Sequence, residues 1–142
     1  MRRTLGLDVG TKTIGVARSD PTGRLASPVQ TLSRRSVAFD VEVLAGLVDA
    51  HEAERVVVGL PYELDGSEGR SARLARQIGA ALAARAGCPV VYVDERYSSV
   101  DAERQLIAAG LSRERRRAVI DQQAAVVILQ AWLDHPELGE QG

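Results

Sequence analysis

The residues best suited to chemistry in this sequence are carboxylates in apolar surroundings. Asp8 interrupts an apolar first run, Asp94 and Glu95 follow a second, and Asp121 lies in a third. Such placements cost free energy unless something compensates the charge. The only histidines are His51 and His135, and the single cysteine is Cys88. None has a plausible partner ligand nearby in sequence, so a zinc centre of His and Cys is disfavoured. A metal held by this chain would need oxygen ligands, which suits Mg2+ or Mn2+. Carboxylates from distant parts of a chain can hold two divalent cations roughly 4 Å apart, one activating a water and one stabilising a leaving oxygen at phosphorus. Basic side chains would neutralise the remaining phosphate charge. Lys12, in the turn after Asp8, and Arg96, beside Glu95, are the natural choices.

Each acid has a plainer alternative. Asp8 could be satisfied by turn amides or by an arginine such as Arg18. Asp121 could be an early-turn acid complementing a helix dipole. Charged residues commonly follow buried strands, and periodicity does not choose between Asp94 and Glu95.

The elements that must position these groups are legible from periodicity. Thr4 to Gly10 alternates, with Leu5, Leu7 and Val9 on one face and Gly6, Asp8 and Gly10 on the other. A turn at Gly10-Thr11-Lys12 leads to a second strand, Thr13 to Ser19, with Gly15 and Ala17 on one face. A third strand runs from about Leu25 to Leu32, and Pro28 suggests a sheet edge. Ser36 is a helix N-cap ahead of Val37, Val41, Leu44 and Val48. Arg55 to Pro61 and Val90 to Asp94 are buried strands. A second helix spans about Ser71 to Arg85, with Leu74, Ile78 and Leu82 as its stripe, and ends at Gly87. A third starts near Ser98 and stops at Gly110; the last runs from about Arg115 to Asp134. In that last helix Asp121, Ala125, Ile128 and Trp132 share a face. Small residues around Asp8 leave room for this helix, or for ions, to approach the sheet. The order βββαβαβαα predicts an α/β fold: a mixed five-stranded sheet with helices on both faces.

The 142 residues fit one domain spanning 1–142. A single cysteine excludes an intramolecular disulfide and fits a reducing compartment. The basic start is cut short by Asp8, and no run reaches the roughly 20 apolar residues of a membrane span. The expectation is a cytoplasmic protein without a membrane partner. Net charge is −1, from 18 basic and 19 acidic residues, which counts mildly against nucleic-acid binding. The basic residues nevertheless cluster, at Arg34-Arg35, Arg70/Arg73/Arg76 and Arg113/Arg115/Arg116/Arg117.

Four segments together resemble the bacterial YqgF/RuvX family. They are Gly6-Leu-Asp-Val-Gly-Thr-Lys-Thr-Ile-Gly-Val-Ala17, Val57-Val-Gly-Leu-Pro61, Asp94-Glu-Arg-Tyr-Ser-Ser-Val-Asp-Ala-Glu103 and Ile120-Asp-Gln-Gln-Ala-Ala with the following Ile-Leu-Gln130. The resemblance spans nearly the whole chain. It implies a ribonuclease H-like fold and a metal-dependent nuclease acting in 5′-end processing of pre-16S ribosomal RNA, or as a Holliday-junction resolvase on branched DNA. It also implies that Asp8, Glu95 and Asp121 are the catalytic and metal-binding acids, with Asp94 supporting the turn.

Structured RNA or branched DNA is thus the expected partner, with Mg2+ or Mn2+ as cofactor. Arg70 and Arg73, in a Gly-rich loop ahead of the second helix, suit phosphate contact, and so do Arg113, Arg116 and Arg117 before Asp121. Solvated surface charge is the alternative for all of these. Two other functions compete: an actin-like ATP-binding domain, whose phosphate hairpin Asp8-x-Gly10-Thr11-Lys12 also resembles, and a non-catalytic RNA-binding or ribosome-assembly factor. The oligomeric state is open, a homodimer included.

Overall fold

The computed structural model describes residues 3–62, 65–95, 110 and 124–141. Alternation shapes its first half. In β1 (Arg3–Val9), Leu5, Leu7 and Val9 are buried on one face, with Gly6 and Asp8 on the other. The Gly10 N–H donates to the Thr13 carbonyl at 2.8 Å, closing the turn into antiparallel β2 (Thr13–Ser19). In this register Asp8 faces Gly15 and Gly6 faces Ala17. β3 (Ala26–Ser33) pairs with β2 and forms one sheet edge, where Pro28 sits as expected of a residue with no N–H to give. The β2–β3 ladder shifts register between Val16, opposite Gln30, and Ala17, opposite Pro28. Val29 is thereby left over as a bulge.

Ser36 caps α1 (Val37–Ala50), its hydroxyl accepting the Phe39 N–H at 3.1 Å. β4 (Ala53–Leu60) starts before Arg55 and lies parallel to β1. α2 (Arg70–Ala86) ends at Gly87, whose φ of 70° is the left-handed conformation that glycine adopts at a C-cap. β5 (Val90–Asp94) lies parallel to β4. α3 (Ala124–Asp134) is followed by a 3₁₀ turn, Pro136–Leu138, and by β6 (Glu140–Gln141), antiparallel to β5. The sheet order is β3-β2-β1-β4-β5-β6. The five expected strands are present, and β6 adds a pairing of two residues, too short to leave a periodic pattern. The helix expected from Ser98 lies outside the described residues apart from Gly110. The first part of the helix expected from Arg115 also lies outside them.

Helices cover both faces. α1 and α2 bring Val41, Leu44, Val48, Ile78 and Leu82 against Leu5, Leu7, Ile14, Val56 and Val58. On the other face Ala125, Ile128 and Leu129 of α3 pack on Ala17, Val57 and Val93. This two-sided burial explains why β4 reads as an unbroken apolar run. Trp132 is half-buried at that cluster's margin, with the Arg55 guanidinium 5.0 Å from its ring centre. No helix among the described residues is long and apolar enough to cross a membrane.

α3 sits close because its floor is small. A Cβ at Gly6 would lie 2.6 Å from the Leu129 Cβ and 3.1 Å from the Ala125 carbonyl oxygen. One side chain fixes the helix along the sheet. Gln130 accepts the Ala26 N–H through Oε1 at 2.9 Å, and its Nε2 donates to the Arg24 carbonyl and to Asp134 Oδ1, each at 2.9 Å.

Gly6→Ala should therefore lower stability by about 1–3 kcal/mol through overpacking. Gly46→Ala, in α1 with nothing within 4 Å of an added Cβ, should raise it by about 0.5–1 kcal/mol. Urea denaturation of the two variants checks this; equal midpoints would contradict the close approach of α3.

Candidate active site

Asp8 lies half-buried on β1, on the face covered by α3. Glu95 directly follows β5, where alternation gives it the face of Val93, which packs under α3, rather than that of Tyr92. β4 lies between β1 and β5, so Glu95 must cross β4 to reach Asp8. It crosses at Gly59. A Cβ there would stand 2.7 Å from Glu95 Oε1 and 2.5 Å from Ile128 Cδ1. Any side chain at 59 would claim the space that the Glu95 carboxyl occupies.

The two carboxyls meet. Burial, the nearby charge of Asp8, a hydrogen bond with Asp8 and the charge of Asp94 push the Glu95 carboxyl up to about pKa 8. A bond between two carboxyls needs one proton, so protonated Glu95 donates to Asp8. Arg18, the alternative partner for Asp8, alternates onto the opposite face with Ile14 and Val16. Its Nη1 lies 3.3 Å from His51 Nδ1.

This pair suits a hard divalent cation: two oxygen donors converge where a single proton now offsets their repulsion. Among the described residues no group of three or more His, Cys, Asp or Glu side chains is assembled to hold a metal. Asp121, the expected third acid, lies outside the described residues, as do Arg96, Arg113, Arg116 and Arg117.

The other expected basic contacts divide. Lys12 is exposed at the hairpin tip, where its carbonyl accepts the Arg34 N–H at 2.9 Å. Arg70 and Arg73 are exposed in the first turn of α2, the helix layer on the other face of the sheet from Asp8. Arg34 and Arg76, not among the expected contacts but members of the sequence's basic clusters, are engaged in ion pairs, with buried Asp40 at 3.0 Å and with Glu68. Sequence reasoning missed Gly59 and Gln130 as functional residues. Gly59 had a signal, a glycine inside a buried strand, which marks close approach of another group. Gln130 stood out only as an amide in an apolar helix.

The family model that matches, over residues 2–135, is RuvX, described as Holliday junction resolvase. A Moorella thermoacetica protein named "Putative pre-16S rRNA nuclease" is 50% identical over 140 residues, 99% of each chain. A Myxococcus xanthus protein of the same name is 51% identical over 132 residues, 93% of this chain and 87% of that one. Among solved structures, Thermus thermophilus RuvC in complex with a Holliday junction substrate superposes with a TM-score of 0.67 at 14% identity, covering all of both chains. That likeness establishes the ribonuclease H-like fold.

The carboxyl pair gives stability a pH dependence. Because folding raises the Glu95 pKa from 4.5 to about 8, the folded state holds this proton more tightly than the unfolded chain. The contribution is full below about pH 4.5 and is lost as pH rises toward 8. The metal-free Tm should fall across this window, and Glu95→Gln should flatten the fall and raise Tm at its alkaline end. An unchanged slope in thermal melts of Glu95→Gln would contradict the shared proton.

Proposed function

The chain belongs to the RuvX family, and on that premise we propose that it is a nuclease hydrolysing phosphodiester bonds with the Asp8–Glu95 pair as the heart of its metal site. The observation that carries this reading is the pair itself, two acids far apart in sequence sharing one proton on the face under α3. A divalent cation, Mg2+ or Mn2+, would supply an activated water and charge neutralisation at phosphorus. Asp8 and Glu95 would hold it, Glu95 giving up its proton to do so. Gly59 leaves Glu95 room to reach, and Ile128 shields its inner side from water.

Asp121 is proposed as the third ligand. It stands four residues before Ala125 in the sequence, the spacing that shares a face if the expected helix includes it, and Ala125 lies 3.5 Å from a Cβ built on Gly15, the register partner of Asp8. Lys12 would meet substrate phosphate at the hairpin tip. Arg96, Arg113, Arg116 and Arg117, with Arg70 and Arg73 further out, would track the backbone.

The substrate proposed is precursor 16S ribosomal RNA, cut in maturing its 5′ end, after the name that the close relatives carry. Such a substrate would call for a cytoplasmic protein. A second reading, cleavage of branched DNA, is favoured by the description of the matching family. It would call for a homodimer, since paired cuts in a four-way junction need two sites.

Cleavage of structured RNA and of a four-way DNA junction should be assayed in parallel. Activity is expected with Mn2+ or Mg2+ and none with chelator. Asp8→Asn, Glu95→Gln and Asp121→Asn should each cost more than about 100-fold, since even residues supporting a metal ligand are worth roughly 10–100-fold. Gly59→Ala should cost about 100-fold by displacing Glu95. Full activity in Asp8→Asn would overturn the nuclease reading, and full activity in Asp121→Asn would remove that residue from the site.

A further inference from the structure

A cleft of about 180 Å³ opens beside Asp8. Asp8 and Gly15 line its floor, Thr13 and Thr31 bring hydroxyls from β2 and β3 on the same face, and Val126 contributes from the start of α3. In the sheet order, β2 and β3 lie on one side of β1, and β4 and β5 on the other. Asp8 therefore stands between Glu95 and the cleft. A strand whose phosphate lies at the two carboxyls would run on past Asp8 into this space.

Its chemistry is selective. Its described lining is hydroxyl and apolar, with no Lys or Arg among the described residues. Thr13 and Thr31 have no side-chain hydrogen-bond partner among the described residues, which leaves two hydroxyls to meet a ligand. Val126 offers an apolar wall to a ring. The volume lies well below the roughly 300 Å³ at which sites for drug-sized ligands begin, so it admits one flat ring or sugar and no base pair.

We propose that this cleft seats the base of one unpaired nucleotide next to the scissile phosphate, so that the enzyme selects nucleic acid that is single-stranded at the cut. The inference rests on the nuclease reading of the carboxyl pair. Selection follows because a paired base must first be extracted from its stack, whereas an unpaired one can be splayed out and bound by its edges and ring face. Gly15 keeps the floor low, and Thr31, its register partner on the exposed edge strand, sets the width.

Binding measured without turnover tests the cleft separately from catalysis. Fluorescence anisotropy in the Glu95→Gln background would use a short single strand, the same sequence as a duplex, and single strands abasic at each position in turn. The single strand should bind about tenfold tighter than the duplex, and one abasic position should cost about tenfold. Thr31→Phe, which fills the cleft from an exposed strand position, should weaken single-strand binding about tenfold and abolish the further abasic penalty, with Tm unchanged. Equal binding of single strand and duplex, or an abasic penalty that persists undiminished in Thr31→Phe, would overturn the proposal. Failure of the nuclease reading would show instead as absent metal-dependent cleavage by the unmodified chain.

Discussion

Two carboxyl groups held against each other in a half-buried place cannot both ionise cheaply, and the described site is organised around that conflict. Asp8 and Glu95 resolve it with one shared proton, which raises Glu95 to about pKa 8. A group so perturbed by burial and by a like charge marks a functional site more often than a structural one. The arrangement costs stability in return for a place where a hard cation is favoured.

The rest of the fold keeps the pair together. Glu95 reaches Asp8 only because β4 carries Gly59 at the crossing, and α3 covers both only because Gly6, Gly15 and Ala17 let it sink onto the sheet. The closeness is maintained at a distance by Gln130, which binds the β2–β3 turn through an acceptor and a donor at once. Strand alternation separates the two jobs of the sheet. Leu5, Leu7 and Val9 hold the α1–α2 layer, while Gly6 and Asp8 on the same strand serve the α3 side. The stabilising core and the reactive face are thus the two sides of one sheet.

Much of this was legible before any coordinates. Alternation in β1 and β2, the Ser36 cap, the Gly87 stop and the edge position of Pro28 are local, and local chemistry decides them. The closeness of α3 was legible as a face of small residues matched to Ala125 and Ile128. Other features depended on tertiary contacts that leave no period. The choice of Glu95 over Asp94 came from family resemblance, because alternation alone could not say which face the site would occupy. Gly59 matters only once Glu95 is known to cross β4, and Gln130 only once its helix is seen beside the β2–β3 turn. Arg34 and Arg76 stand in basic clusters of the sequence, but pair with Asp40 and Glu68 brought near by α1 and by the loop before α2.

The central claim is that a cation takes the place of the proton between Asp8 and Glu95. Isothermal titration of Mn2+ at neutral pH, repeated in buffers of differing ionisation enthalpy, measures this directly by counting protons released on binding. Close to one proton should leave per ion bound in the unmodified chain, and Glu95→Gln should bind weakly with no release. Tight binding without proton release, or the same release from Glu95→Gln, would contradict the account.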